Sequence, residues 1–434
     1  MIETLFDFFS LQDPNVRYVL AGTILLGISA GVLGCFAVLR GRALVGDAVA
    51  HAVLPGVCLA FIVVGDKNPF ALLVGALLFG WISIVVMDFI IQNSKISPDA
   101  SIGMILSVFF GLGVLLLTYI QSTGNVNQSG LDAFLFGQAA SLVPLDVMVF
   151  GSLSVLIILV VVLSFKELRL VSFDIGFASA IGYPVRKLEF LIATLLVMTI
   201  TVGLQAVGVV LMASMLIIPA AAARYWTTSL VYMVIIAGGV GALSGVTGSF
   251  VSYLAPAMPT GPWMVLSALG IFIISFVFAP KRGELARFIK HRENKTVIND
   301  ENILKTLYLL EENDERRQRA RSVGEILKRR RMQPAEIKKG LLRLHRQNKV
   351  IRYEGQPDMY VLSETGRQRA RRIVRVHRLW ELYLTDQVQI AGDHVHDDAE
   401  SMEHLITPEI EAQLDKVLDR PTMDPHSKEI PQKL

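Results

Sequence analysis

From about residue 18 to residue 279 the chain is written in long apolar runs separated by short polar gaps. Nine runs are long enough to cross about 30 Å of hydrocarbon as helices. They cover roughly 18–39, 43–64, 69–91, 100–120, 143–165, 187–206, 207–223, 228–254 and 262–279. The sixth and seventh are short and nearly continuous, so the pattern predicts eight or nine spans. Beyond residue 280 the rhythm changes. Apolar residues now recur three and four apart in polar sequence, the spacing of amphipathic helices on a soluble core. Ile303, Leu307 and Leu310 mark one such face, behind a polar start near residue 299. A helix over 323–328, a break at Gln333-Pro334 and a helix over 335–346 follow. Two β-like pieces, 349–354 and 359–362, flank Gly355-Gln356-Pro357. Helix, helix–turn–helix and hairpin, in that order, make a winged helix. The expected fold is an all-α polytopic membrane bundle of 8–9 transmembrane helices over 1–280 and a linker over 281–298. A soluble winged helix over 299–365 and a helical domain over 366–434 complete it.

Composition sharpens this division. The 434 residues are 53% hydrophobic, with a mean hydropathy of +0.51, which excludes an ordinary soluble protein. Of 41 Lys and Arg, 10 precede residue 281; of 38 Asp and Glu, 12 do. The formal net charge of +3 therefore describes neither half. Cys35 and Cys58 both fall in apolar runs and read as small buried hydrophobes. Their absence from the soluble part fits a reducing cytoplasm. Residues 1–17 carry Glu3, Asp7 and Asp13 without a basic leader, so the first span is expected to act as an uncleaved signal. Arg40, Arg42, Lys95, Lys166, Arg169, Arg186, Lys187 and Arg224 lie in short loops that the positive-inside rule places in the cytoplasm. The amino terminus is then outside and the carboxyl-terminal domain inside.

Two segments carry candidate chemistry in the apolar half. Asp47 and His51 stand four apart, one above the other on a helix, in a stretch that otherwise reads as a span. Ionisable groups are costly in hydrocarbon and mark ion paths, and carboxylate with imidazole suits a divalent transition metal. The alternative is a structural hydrogen bond. Pro55-Gly56 follow one turn later, where helices loosen beside cavities. The loop 166–186 is too polar to span, yet Phe173, Phe177 and Ile181 recur at helical spacing before Gly182 and Pro184 end the helix. Such a short helix suits docking to a motor subunit, or resting on membrane lipid. No Gly-x-x-x-x-Gly-Lys-Ser/Thr stretch occurs, so this chain has no P-loop ATP site and is not expected to be an enzyme.

Taken together, Gly46-Asp47-x-x-x-His51-x-x-x-Pro55-Gly56, Phe173-Asp174…Ala178…Gly182-Tyr183-Pro184 and Gly208-Val209…Ile217-Ile218-Pro219-Ala220-Ala221-Ala222 resemble the permeases of manganese/zinc/iron-chelate ABC importers. The resemblance covers about 15–280. It implies a multi-pass protein of the bacterial inner membrane, with Asp47 and His51 lining the metal route. Phe173, Asp174, Phe177, Ala178, Gly182 and Pro184 would belong to the coupling helix for a separate ATP-binding subunit. It further implies a second permease subunit, in a homo- or heterodimer, and an extracytoplasmic metal-binding protein.

In the soluble half, Arg329, Arg330, Lys338, Lys339 and Arg343 offer positive charge to DNA phosphates or to anionic lipid. His377 and Glu381 share a predicted helix, and His396, Glu400, Glu403 and His404 share one face of another. Imidazoles and carboxylates so gathered suit Mn²⁺, Fe²⁺ or Zn²⁺. Val376-His-Arg-Leu-Trp-Glu-Leu-Tyr-Leu384, Val395-His-Asp-Asp-Ala-Glu-Ser-Met-Glu-His404 and the Pro408 to Pro431 stretch resemble the diphtheria-toxin-repressor family of iron- and manganese-responsive regulators. That resemblance makes 366–434 a metal-binding dimerisation domain. It implies His377, Glu381 and His396 as one ligand set, and Glu400, Glu403 and His404 as another. Asn302 stands near the position where such regulators place a Met or Asp ligand in their first helix. The combined reading is a metal-importer permease fused to a cytoplasmic metal-sensing domain. Its rival is a membrane-tethered, metal-dependent transcription regulator.

Overall fold

The computed structural model describes residues 2–66, 68–122, 137, 144–254, 258–314, 319–330, 332–353, 356, 358–390, 399–400, 402–404 and 406–432. Contacts divide the chain into two compact units, Met1–Arg287 and Phe288–Leu434.

The first unit is helical throughout its described elements. They are α1 (Ile2–Ser10), α2 (Pro14–Leu39), α3 (Val45–Val64), α4 (Pro69–Asn93), α5 (Pro98–Ser122), α6 (Pro144–Leu163), α7 (Phe165–Phe173), α8 (Ile175–Ala180), α9 (Val185–Val207), α10 (Val209–Trp226), α11 (Leu230–Leu254) and α12 (Thr260–Phe278). Eight of these are long and apolar enough to cross a membrane. Helices α6 and α7 meet the same test only when taken together, as a pair bent by 71°, which is the geometry of a broken span or of a re-entrant loop. The two nearly continuous runs of the sequence are thus separate helices, α9 and α10. Gly208 parts them at φ +94°, a conformation side-chain-bearing residues avoid. Pro55 and Pro219 sit inside unbroken helices, so Pro55-Gly56 does not interrupt α3. The hydropathy pattern does not single out α1, too short to span; its Phe8 packs on Phe250 and Tyr253 of α11.

Helix α2 lies against α11 through small residues. A β-carbon at Gly27 would strike the Gly241 backbone, and one at Gly31 would strike Ala237. Such close approach gains dispersion contact where no hydrophobic drive separates helix from lipid. Helix α3 is enclosed by α4, α5, α9 and α10, and from Val45 to Phe61 most of its residues are buried. The outer surface, by contrast, shows Leu78, Val85, Phe89, Val108 and Leu115 to the surroundings. That inversion, apolar outward and with the few charged groups near helix ends, is what a hydrocarbon solvent demands.

The second unit begins within α13 (Glu284–Glu312), followed by β1 (Arg321–Ser322), α14 (Val323–Arg329), α15 (Pro334–Arg346), β2 (Val350–Arg352), β3 (Met359–Leu362), α16 (Glu364–Asp386) and α17 (Pro408–Val417). Residues 284–298, expected as a linker, are helical. Leu285, Ala286, Arg287, Lys290, Glu293 and Lys295 are strong helix formers, and no Gly or Pro intervenes before Gly324. The strands form an antiparallel sheet in the order β1-β3-β2, with Val350 opposite Leu362 and Arg321 opposite Tyr360. The two-residue β1 is too short to leave an alternating signature. Ile303, Leu307, Ile326, Ile337, Leu341, Val350 and Leu362 share the core of this winged helix. A capping box starts α14: the Ser322 hydroxyl accepts from Glu325 N–H, and Glu325 accepts from Ser322 N–H at 2.8 Å.

Candidate functional site

In the membrane unit the chemistry begins at a turn. Helix α2 ends at Leu39, Gly41 adopts φ +65°, and α3 starts at Val45. Asp47 is in the first turn of α3, where the unpaired N–H groups and helix dipole favour an anion. His51 lies one turn deeper, its side chain only 13% exposed against 34% for Asp47. The His51 Nε2 to Asp47 Oδ1 distance is 3.6 Å, too long for a hydrogen bond. His51 Nδ1 is buried and has no hydrogen-bond partner among the described residues. A structural Asp–His bridge would close to about 2.8 Å and leave fewer groups unsatisfied. Here the carboxylate and the imidazole do not bond each other, although they share one face of α3. Phe110 of α5 fixes the imidazole, ring edge to ring face, at 4.8 Å between centroids. The spacing of charged residues could not reveal this aromatic partner, because a phenylalanine in a span is ordinary.

The loop 166–186 forms two helices and not one. Helix α7 ends at Phe173, and Asp174 caps α8, its Oδ1 accepting from Phe177 N–H at 2.8 Å. Phe173, Phe177 and Ile181 therefore do not follow a single helical stripe. They are nonetheless all more than half exposed, while Ala178 is fully buried and seats α8. Gly182 closes the helix at φ +88° and Pro184 leads into α9. The result is an apolar knob on a capped, anchored turn.

In the soluble unit, α16 carries His377 and Glu381, with His377 Nε2 3.1 Å from Glu381 Oε1. Ala399, Glu400 and Met402 are helical, but Glu403 and His404 lie in the turn that follows. His396 lies outside the described residues. Glu403 reaches α16, its Oε2 2.6 Å from His377 Nδ1, and Lys305 Nζ of α13 donates to the same oxygen at 2.6 Å. His404 Nδ1 is 2.6 Å from Glu301 Oε2, and its Nε2 faces Asn302 at 3.2 Å and Glu403 Oε1 at 3.4 Å. That Oε1 is buried with no hydrogen-bond partner among the described residues. Glu400 joins none of these, pairing with Arg330. Among the described residues no group of three or more His, Cys, Asp and Glu is arranged as a metal cage. Of the residues the resemblance implies as ligands, Glu403 stands between His377 and His404.

Electrostatics follow from this burial. Burial pulls the His377 imidazole down, but hydrogen bonds to Glu381 and Glu403 outweigh it and hold it above the usual histidine range. Burial pushes Glu403 up, and His377 with Lys305 brings it below the ordinary carboxylate range. Glu301 is likewise lowered, burial being outweighed by His404 and Arg369. Its carboxylate pairs with His404 Nδ1 and sets the ring so that Nε2 faces Asn302 and Glu403 Oε1. A carboxylate behind the imidazole is how metal-binding histidines are commonly oriented, and imidazole and carboxylate are donor types that bind dications. Lys305 and Glu301 escaped the sequence reading because an acid and a lysine four apart on a polar helix look like a solvated pair. Of the basic residues proposed to face phosphates, Arg343 forms a two-point bridge to Asp300 at 2.7 and 3.1 Å. Lys338 lies 3.5 Å from Asp358, both exposed, and Arg329 lines a cavity beside Arg330 and Lys305. The adjoining Arg331 lies outside the described residues.

A bundle of spanning helices around an acid–imidazole helix, continued by a winged helix and its helical neighbour, defines a membrane permease fused to a repressor-like domain. The chain belongs to the ABC 3 transport family, which it matches over residues 12–279. Residues 363–432 match the iron dependent repressor, metal binding and dimerisation domain. The manganese transport system membrane protein MntC of Bacillus subtilis is 43% identical over 393 residues, covering 90% of this chain and 88% of that protein. That alignment is longer than the membrane unit and so includes soluble sequence. The zinc transport system membrane protein TroC of Treponema pallidum is 42% identical over 281 residues, 65% of this chain and 94% of its own length. The solved structure of PsaBC from Streptococcus pneumoniae in complex with Fab gives a TM-score of 0.59 at 34% identity, covering 66% of this chain and 99% of that one.

Proposed function

We propose that this chain is the permease subunit of an ATP-driven importer of a divalent transition metal, manganese foremost, and that its carboxyl-terminal domain reads cytosolic metal and restrains uptake. The carrying observation is the open Asp47–His51 pair, one turn apart on the enclosed helix α3, with a buried imidazole nitrogen left unsatisfied. Such a pair offers hard oxygen and borderline nitrogen, a donor set suited to manganese, zinc or iron(II). Manganese ranks first because it is the metal named for the Bacillus subtilis relative, whose alignment includes the soluble part. Zinc is named for the Treponema pallidum relative, one of those that match the permease part.

Energy comes from a separate ATP-binding subunit that receives the knob of Phe173, Phe177 and Ile181 around the seated Ala178. An extracytoplasmic binding protein delivers the ion, and a second permease subunit completes the pore. By its loop charges the protein spans the bacterial inner membrane with its carboxyl-terminal domain in the cytoplasm. There, Glu403 and His404, with Asn302 and Glu301 beside them, form the sensing cluster; His377 and Glu381 adjoin it, and only the family resemblance would add His396. Arg330 and Arg343 are bonded within the domain, which favours regulation in cis over operator binding.

The test is uptake by the reconstituted complex, comparing Mn²⁺, Zn²⁺ and Fe²⁺. Asp47→Ala and His51→Ala each lower uptake about tenfold or more, the scale of losing a metal-site group. Unchanged flux in both variants would remove the transport assignment.

A further inference from the structure

The corner shared by His377 and Glu403 already contains a cation. Lys305 Nζ lies 2.6 Å from Glu403 Oε2 and 3.1 Å from His377 Nδ1, and its side chain is only 4% exposed. Burying an ammonium demands a carboxylate partner and hydrogen bonds, and Glu403, itself fully enclosed, supplies both. The two atoms facing that corner also stand too close for a shared ion. Donors about 2.1 Å from one metal, at right angles or wider, are about 3.0 Å apart or more. Here His377 Nδ1 and Glu403 Oε2 are 2.6 Å apart, in direct hydrogen-bond contact. The neighbouring cavity adds Arg329, Arg330, Arg378 and Lys428 to Lys305, against Glu381, Glu400 and Asp424. A dication entering there meets an excess of positive charge.

We propose that the Lys305 ammonium occupies the place of a divalent ion at the His377–Glu403 corner, so that this part of the domain is assembled without metal. Metal sensing is then confined to the other side of Glu403, at Oε1 and His404. This rests on the cluster being the sensor, and divides it: Lys305 ties α13 to His377 of α16 and to Glu403 permanently, as an ion would only when bound. A domain built this way keeps its first helix docked at any metal concentration.

The experiment counts Mn²⁺ bound per chain by the electron paramagnetic resonance of free Mn²⁺, using the full-length protein in detergent. His377→Ala leaves the wild-type count unchanged, whereas Lys305→Glu, which adds a carboxylate and removes the ammonium, binds one more ion. Adding His377→Ala to Lys305→Glu abolishes that extra ion. The idea is overturned when His377→Ala lowers the wild-type count by one, or when a folded Lys305→Glu gains nothing. Should Lys305→Glu fail to fold, the His377→Ala count alone decides. His404→Ala serves as the separate control for sensing: a count it does not lower removes the sensor reading and leaves the Lys305 result standing.

Discussion

Replacing Phe110 by leucine probes how tightly a single residue holds the proposed Asp47–His51 metal pair. Its edge-to-face contact with His51 is worth about 0.5–1.5 kcal/mol beyond simple burial. The expected result is a two- to tenfold rise in the uptake KM for Mn²⁺ with the maximal rate kept. An equal fall in both would mean that Phe110 shapes the path and does not orient the imidazole. At this scale the sequence was partly readable. Asp47 and His51 stood out because ionisable groups in apolar runs are rare, whereas Phe110 and the buried Lys305 did not. An aromatic in a span and a lysine beside acids are what their surroundings predict by default, and only three-dimensional neighbours give them a role.

At the scale of elements, two short helices lend themselves to measurement. Helix α8 presents Phe177 to the surroundings while Ala178 is buried. Exchanging Phe177 for aspartate removes one apolar anchor, about 1.5–3 kcal/mol if fully buried in a complex. Pull-down of the ATP-binding subunit by the purified permease should weaken about tenfold to a hundredfold, with an unchanged elution profile. If binding persists but vesicle association falls, the knob rests on lipid. Helix α14 depends on its capping box. Ser322→Ala costs about 1 kcal/mol, so amide exchange in peptides covering 323–329 of the full chain should quicken about fivefold. Glu325 adds a pH dependence of known sign. The Ser322 backbone N–H holds its carboxyl below the usual carboxylate range. Its contribution is therefore complete above that range and is lost as pH falls through the lowered value. The exchange difference between wild type and Glu325→Gln should shrink on acidification; a difference that grows would reverse the assignment. The sequence showed these helices by spacing, but it joined α7 to α8. Apolar periodicity carried across Asp174 because a capping aspartate is also a tolerated helix residue.

For the whole molecule the decisive question is whether the second unit acts on the first. The chain separates into units at Arg287 and Phe288, within α13, so truncation after Arg287 removes one compact body and leaves the other intact. The division itself was legible from charge and hydropathy, because a lipid-facing surface and a water-facing surface cannot share one composition. The helical nature of 284–298 was not, since polar helix formers read equally well as a solvated linker. If the domain restrains transport, the full-length complex in vesicles preloaded with Mn²⁺ should import more slowly than in empty ones. The truncated complex should import at one rate in both. Coupling between distinct sites is commonly 1–3 kcal/mol, so the preloading effect should be roughly fivefold or more. His404→Ala in the full-length chain should reproduce the truncation without removing any mass from the complex, which separates loss of sensing from loss of a steric neighbour. Equal sensitivity to internal Mn²⁺ in all three proteins would place any feedback in the membrane unit or its ATP-binding partner. The fused domain would then have to act on something other than this permease, and its measured affinity for operator DNA would become the quantity that matters.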